Sequence, residues 1–188
     1  MTRKEQKEER RKAILMTALD LFVERGYYDT KITDIAAAVP MSTGLMFHYF
    51  ESKEDLLKEL VTMGLEGTKF VDSMPPVAPE MFFEQFLKML FDFSATQPWV
   101  FKMFVLMGQV RRPGMPEEAR EVALSVDTPK VTSAIIKAGQ KSGAFRKGDP
   151  LQLSITFWAA VQGIMEEMAV NKDYKAPEPE WIVALLLK

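Results

Sequence analysis

The sequence predicts an all-α fold, a small three-helix head carried on a larger helical body. Three observations point there. Apolar residues recur at helical spacing along most of the chain, prolines fall where helices can start, and no alternating run bounded by turn residues suggests a strand. The expected division is residues 1–58 for the head and 59–188 for the body.

The elements follow in order. Ile14, Leu15, Ala18, Leu21 and Phe22 share one face of a first helix that stops at Gly26, a natural left-handed C-terminal residue. Thr30 is the expected N-cap of a short second helix, with Ile32, Ile35, Ala36 and Val39 facing inward. A third is expected from Ser42 to about Phe50. The fourth opens at Ser52-Lys53-Glu54-Asp55, a capping-box pattern ahead of Leu56, Leu57, Leu60 and Val61. Further on, Pro79, Pro98, Pro116, Pro150 and Pro179 each suit the start of a helix, where a missing N–H costs nothing, and Asp149 is placed to cap the one at Pro150. Pro129 interrupts a helical stretch and predicts a break, with Asp127 and Thr128 as fresh caps. Residues 72–78, with Pro75 and Pro76, read as a loop.

Composition narrows the function classes. The 188 residues are 47% hydrophobic and 27% charged, ordinary for a soluble globular protein. With no cysteine, disulfides, thiolate nucleophiles and sulfur-ligated metals are excluded together; with one histidine, a His-based relay or metal site has little to work with. The charged start, Met1 to Lys12, is no secretory signal, and the apolar stretches fall short of the ~20 residues that span a bilayer. The expectation is a cytoplasmic protein that binds no membrane, is not an enzyme and needs no cofactor or metal.

The head is where chemistry concentrates. Three short helices with a tight turn between the second and third suit a helix-turn-helix, in which neighbours brace one helix for the major groove of DNA. The third segment is oddly built for a core element. Met46 and Phe50 alone have inward spacing, while Thr43, Gly44, Leu45, Phe47, His48 and Tyr49 are left to face elsewhere. Lys53 stands at a helix start, the unfavourable end of the macrodipole for a cation; a phosphate shared with the backbone N–H groups there would justify it. Residues 1–58 carry ten basic and ten acidic side chains, so the head is neutral overall.

The run Ile14-Leu15, Ala18-Leu19-Asp20-Leu21-Phe22, Gly26-Tyr27, Thr30 and Ile32-Thr33-Asp34-Ile35-Ala36 is followed by Ser42-Thr43-Gly44. It continues with Phe47-His48-Tyr49-Phe50, Ser52-Lys53-Glu54 and Leu56. It resembles the N-terminal signature of the tetracycline-repressor (TetR/AcrR) family over about the first third of the chain. That resemblance implies an N-terminal helix-turn-helix DNA-binding domain and a C-terminal helical ligand-binding and dimerisation domain. It implies a homodimeric regulator, usually a repressor, released from a palindromic double-stranded operator by a small molecule. Thr33, Ser42, Thr43, Gly44, Leu45, Phe47, His48, Tyr49 and Lys53 then match positions that touch DNA. The chain departs from the family at the turn, where Pro40 replaces the usual glycine. Because proline fixes φ at about −65°, the turn is expected to take another shape. Leu45 stands where a hydroxyl residue is common, and can meet a thymine methyl but cannot hydrogen-bond.

The body holds most of the methionine and phenylalanine. Such residues are mainly core, yet they also suit an adaptable apolar pocket. A lipophilic small-molecule effector is expected near Phe86, Met89, Phe93, Phe104, Met107 and Trp158. Between Asp149 and Glu166 there is no charge, so one face of that helix needs a second partner. Leu151, Ile155, Ala159, Gln162 and Gly163, joined by Trp181 and Leu185, are expected to form a two-fold dimer interface. The alternative reading is a helical homodimeric small-molecule-binding protein with a vestigial DNA-binding head.

Overall fold

The computed structural model describes residues 2–68 and 77–188, so most of the loop expected over 72–78 lies outside the described residues. Among these residues there are ten helices: α1 (Arg3–Arg25), α2 (Ile32–Ala38), α3 (Thr43–Met46), α4 (Lys53–Thr68), α5 (Pro79–Thr96), α6 (Trp99–Val110), α7 (Glu117–Leu124), α8 (Thr128–Ser142), α9 (Pro150–Val170) and α10 (Pro179–Val183). The fold is all-α. Extended pairing among the described residues is a single isolated bridge, Phe145 with Leu187. Two compact units divide the chain, residues 1–65 with 105–124 and residues 66–104 with 125–188. Helices α4 and α6 each contribute residues to both.

In the first unit, α1 starts earlier than its apolar face requires. Thr2 Oγ1 accepts from Glu5 N–H at 3.2 Å while Thr2 N–H donates to the Glu5 carboxylate at 2.8 Å, a reciprocal cap that carries the basic N-terminal residues on a solvated helix. At its other end Gly26, with φ 92°, stops the helix as expected. Thr30 departs from expectation. Instead of capping α2, its buried hydroxyl turns back, 2.8 Å from the carbonyl of Gly26 and 3.2 Å from that of Leu21. The orphan carbonyls at the end of α1 are the stronger claim on a buried donor. The start of α2 is held by Lys31 N–H on the Asp34 carboxylate at 2.8 Å.

The turn between α2 and α3 corrects a second expectation. Its left-handed shape survives the proline, Pro40 having φ 23°. Met41 N–H reaches the Ala36 carbonyl at 3.0 Å, the six-to-one bond of a Schellman cap, and this bond holds the chain in place. The companion bond needs an N–H on residue 40, which proline lacks.

The second unit is built on aromatic edges. Phe83, fully buried, meets Phe82, Phe145 and Phe157 at ring-centroid distances of 5.2, 5.9 and 4.7 Å. Asp127 and Asp149 cap α8 and α9 through Lys130 N–H at 3.0 Å and Gln152 N–H at 2.9 Å, with Pro129 and Pro150 in the first turns as expected. A polar knot in this core is formed by Thr132, whose hydroxyl lies 2.7 Å from Ser154 Oγ and accepts from Trp158 Nε1 at 2.9 Å. Both hydroxyls are buried, and pairing them removes the penalty of leaving either unsatisfied.

Candidate functional site

The segment expected to read DNA is shorter as a helix than the spacing predicts. Only Thr43–Met46 is α-helical, because the hydrogen bonds tighten after Met46: His48 N–H donates to Leu45 O and Tyr49 N–H to Met46 O, three residues back. The coil nonetheless continues to Phe50, whose N–H donates to Met46 O at 3.2 Å. Ser42 caps it, its hydroxyl accepting from Leu45 N–H at 3.2 Å. Met46 and Phe50 are buried, as their spacing demands. Ser42, Gly44, Phe47 and His48 are exposed; Thr43, Leu45 and Tyr49 are half-buried. Phe47 is 49% exposed, a large apolar ring left in water beside the one histidine. Thr33 is exposed on α2. No Cβ at Gly44 would meet any atom within 4 Å, so nothing inside the protein requires glycine there.

Two cations hold the ends of this segment. Arg11 lies over the Phe50 ring, 4.7 Å from its centroid, and pairs with Glu59 of α4. Lys53 is half-buried, and its Nζ lies 2.9 Å from the carbonyl oxygens of both Tyr27 and Thr30 and 4.2 Å from the centroid of the Tyr27 ring. Neither arrangement was legible in the sequence, since each joins residues 23 to 48 positions apart. Burial, reinforced by the charge of Glu54, pushes the Tyr27 phenol above its ordinary range. Glu54 is held below the usual carboxylate range, first by its own backbone N–H and then by Tyr27 and Ser52. On the same unit, Tyr28 Oη donates to Gly114 O, and Lys58 pairs with Glu118 at 2.8 Å.

In the second unit, the residues expected around a ligand separate. Phe86 and Trp158 meet edge to face at 5.2 Å, with Phe157 5.5 Å beyond. Met89 and Phe93 are exposed on α5, Phe93 at 52% with Trp99 6.2 Å away. Phe104 is half-buried, and Met107 belongs to the other unit. An open groove of about 660 Å³ lies elsewhere, lined by Ala159, Gly163, Ile164, Met168, Tyr174 and Pro177 among others. It adjoins the strip expected to dimerise. Leu151, Ile155, Ala159 and Gly163 are exposed along α9, as are Leu185 and Trp181, the latter at 69%. Gln162 differs from its neighbours, its amide donating to Phe104 O at 2.9 Å and to Glu166 at 2.7 Å. Among the described residues no cluster of His, Asp and Glu could hold a metal, and no helix is long and apolar enough to cross a membrane.

Residues 14–60 match the family model for bacterial regulatory proteins of the tetR family. The HTH-type transcriptional regulator RutR of Escherichia coli O157:H7 is 28% identical over 158 residues, 81% of this chain and 72% of RutR. Among solved structures, the MbdR regulator from Azoarcus sp. CIB is similar with a TM-score of 0.78 and 23% identity, covering 94% of this chain and 96% of MbdR. AibR, solved in complex with isovaleryl coenzyme A and operator DNA, is similar at a TM-score of 0.73 and 20% identity over 93% and 94% of the two chains. The matched span runs from the buried face of α1 to the first half of α4 and includes the segment 42–50 and Lys53, and RutR is a transcriptional regulator. Residues 14–60 thus carry the tetR-family regulatory domain, and over most of its length the chain is similar in sequence to a TetR-type transcriptional regulator and in fold to solved members of that family.

Proposed function

We propose that the protein is a homodimeric repressor that holds a palindromic operator and releases it when a lipophilic small molecule binds the body. The observation that carries this reading is the segment 42–50, which buries Met46 and Phe50 and leaves Ser42, Gly44, Phe47 and His48 in solvent. A turn anchored by two apolar knobs, with its other faces open, can enter a groove without unpacking its own support. Thr33, Ser42, Thr43, Gly44, Leu45, Phe47, His48 and Tyr49 form the contact surface. Leu45 and Phe47 meet base methyls and sugars, and the hydroxyls and His48 meet phosphates.

Dimerisation supplies the second head. The exposed strip of Leu151, Ile155, Ala159 and Gly163, with Trp181 and Leu185, is apolar and uncharged, and its small residues allow close helix approach. Paired in this way, two recognition segments roughly 34–36 Å apart would fall on successive turns of DNA. The effector acts by favouring a spacing that no longer fits, and its effect is limited by its differential affinity for the two states. Its site is assigned to the aromatic body around Phe86 and Trp158, with the half-buried Phe104 of the same unit as further lining. AibR, bound to both an acyl coenzyme A and operator DNA, is a precedent for this pairing in a similar fold.

The test is selection of bound fragments from a random DNA pool, followed by titration of the enriched fragment at several salt concentrations. An inverted repeat bound with a steep fall in affinity as salt rises is the expected result. Enrichment of nothing, with the dimer intact in sedimentation, would instead favour a small-molecule-binding dimer whose head is vestigial. The neutral head and the proline in its turn are the features that keep this second reading open.

A further inference from the structure

We infer, on the DNA-binding reading above, that the first turns of α1 are a second DNA-contact surface. A basic stripe of Arg3, Lys4, Lys7 and Arg10 binds the phosphate backbone beside the bases met by the segment 42–50.

The charge balance of the head conceals this stripe. Residues 1–58 are neutral by count, with ten cations and ten anions, but along the start of α1 the signs are sorted by face. Successive residues of a helix turn by about 100°. With Arg3 at zero, Lys7, Arg10, Arg11 and Lys4 share an arc of about 120°, whereas Glu5, Glu8 and Glu9 fall on the other side. Lys7 is the centre of the stripe. The residues three and four positions to either side, which share its helix surface, are Arg3, Lys4, Arg10 and Arg11, all cations. Like charges at these spacings destabilise a helix, and one that needed only to stay in solution would gain from mixing the signs. Here the repulsion is kept on one face, where an external anion would relieve it. Lys12, by contrast, lies among the acids, four residues after Glu8 and three after Glu9.

The rest of the head fixes where the stripe leads. Helix α1 is continuous from Arg3 to Arg25, and residues 3–10 are exposed. Glu5 is engaged at the helix start, in the reciprocal cap with Thr2. The stripe is in line with Ile14 and Ala18, both fully buried, so it prolongs the packed face of α1 beyond the point where packing ends. At the join stands Arg11, whose guanidinium pairs with Glu59 and lies 4.7 Å from the centroid of the Phe50 ring. Phe50 closes the segment 42–50, so the stripe begins where that segment ends. From Arg11, a rise of 1.5 Å per residue carries Lys7 about 6 Å and Arg3 about 12 Å along the helix axis. A rod of charge that long spans several phosphates of a duplex, which carries one charge per ~1.7 Å of its axis. Duplex DNA is the occupant that fits, since it matches the stripe in sign and extension and is the partner proposed for the segment beside it. Such contacts carry no sequence information; they add affinity and fix orientation.

The experiment compares two exposed lysines of the same helix in the whole chain. Lys7→Gln removes a charge from the stripe, and Lys12→Gln removes the same charge from the acidic face. Glutamine is a good helix former, so both variants should keep the fold. Each is titrated across salt concentrations with the enriched fragment and with an unrelated duplex. For Lys7→Gln, the slope of log affinity against log salt should become shallower by about 0.9 per protomer, about 1.8 for the dimer. The advantage of the wild type should therefore shrink roughly tenfold between about 50 and 200 mM salt, on both duplexes alike. Lys12→Gln should keep the wild-type slope. Equal slopes for the two variants overturn the inference and leave the inverted repeat, with the DNA-binding reading, in place. A wild type that binds neither duplex at about 50 mM salt defeats both. Binding to phosphatidylglycerol vesicles that needs Lys7, beside DNA binding that does not, would make the stripe a lipid surface and also overturn it.

Discussion

The two compact units are held together by different chemistry. In the first, short helices meet through side chains that reach into the backbone: Thr30 onto the end of α1, Lys53 onto the 27–30 corner, Ser42 onto the start of α3. In the second, long helices meet through aromatic edges centred on Phe83, and its buried polar contacts centre on the Thr132 knot. The reason is length. Helices of seven and four residues, α2 and α3, bury too little surface to be stable by packing, so their ends need donors and acceptors from elsewhere. The 18-residue α5 and 21-residue α9 bury enough side chains to need little else. Regions joined by corner bonds can present a surface at a defined angle, and regions joined by packing can enclose apolar matter.

This contrast can be broken or sharpened by substitution, starting with the largest effect. Phe83→Ala should cost about 3–5 kcal/mol by denaturant unfolding, since three ring contacts and a buried side chain are lost at once. A cost near that of a head-corner substitution would erase the distinction between the units. Gly139→Ala comes next, because a Cβ at Gly139 would fall 2.3 Å from Cδ2 of the Phe145 ring. Overpacking of this kind costs about 1–3 kcal/mol, and the relaxed variant Gly139→Ala with Phe145→Leu should recover part of it.

Pro40→Gly has the opposite sign. Glycine accepts the positive φ without strain and restores the N–H that the Schellman cap lacks, against a greater loss of chain entropy on folding. A net gain of about 1 kcal/mol is expected, read as a rise in denaturant midpoint. A fall would show that the proline is accommodated without strain.

The smallest effect belongs to Tyr27→Phe. The Tyr27 hydroxyl is buried and makes no well-formed hydrogen bond, so removing it should change stability at neutral pH by less than about 0.5 kcal/mol. Its signature is alkaline. The folded protein holds the phenol proton above the ordinary value of 10.0, so the unfolded chain releases that proton first. The associated stability is complete below pH 10 and is lost as pH rises towards the folded-state value. Unfolding curves taken on both sides of pH 10 should converge with those of Tyr27→Phe on the neutral side and part on the alkaline side.

Much of this molecule was legible one residue at a time. The stop at Gly26, the caps at Asp127 and Asp149, the break before Pro129 and the inward spacing of Met46 and Phe50 are all local. Each depends on residues within about four positions of one another, and the structure contains every one of them. The burial pattern of the segment 42–50 was legible for the same reason, since Met46 and Phe50 are buried at the spacing a helix dictates.

What the sequence by itself determined is therefore the helical class, several of the places where helices begin and end, and which face of the segment 42–50 is turned out. Tertiary structure alone decided where Thr30, Arg11 and Lys53 spend their donors, that Pro40 sits in a left-handed turn, and that an open groove lies beside Ala159 and Gly163. Local signals act through the chain's own periodicity, which can be read in a line of letters. A hydroxyl or a charge with several possible partners chooses among groups that only folding brings within 3 Å, and its choice follows whichever buried acceptor would otherwise go without.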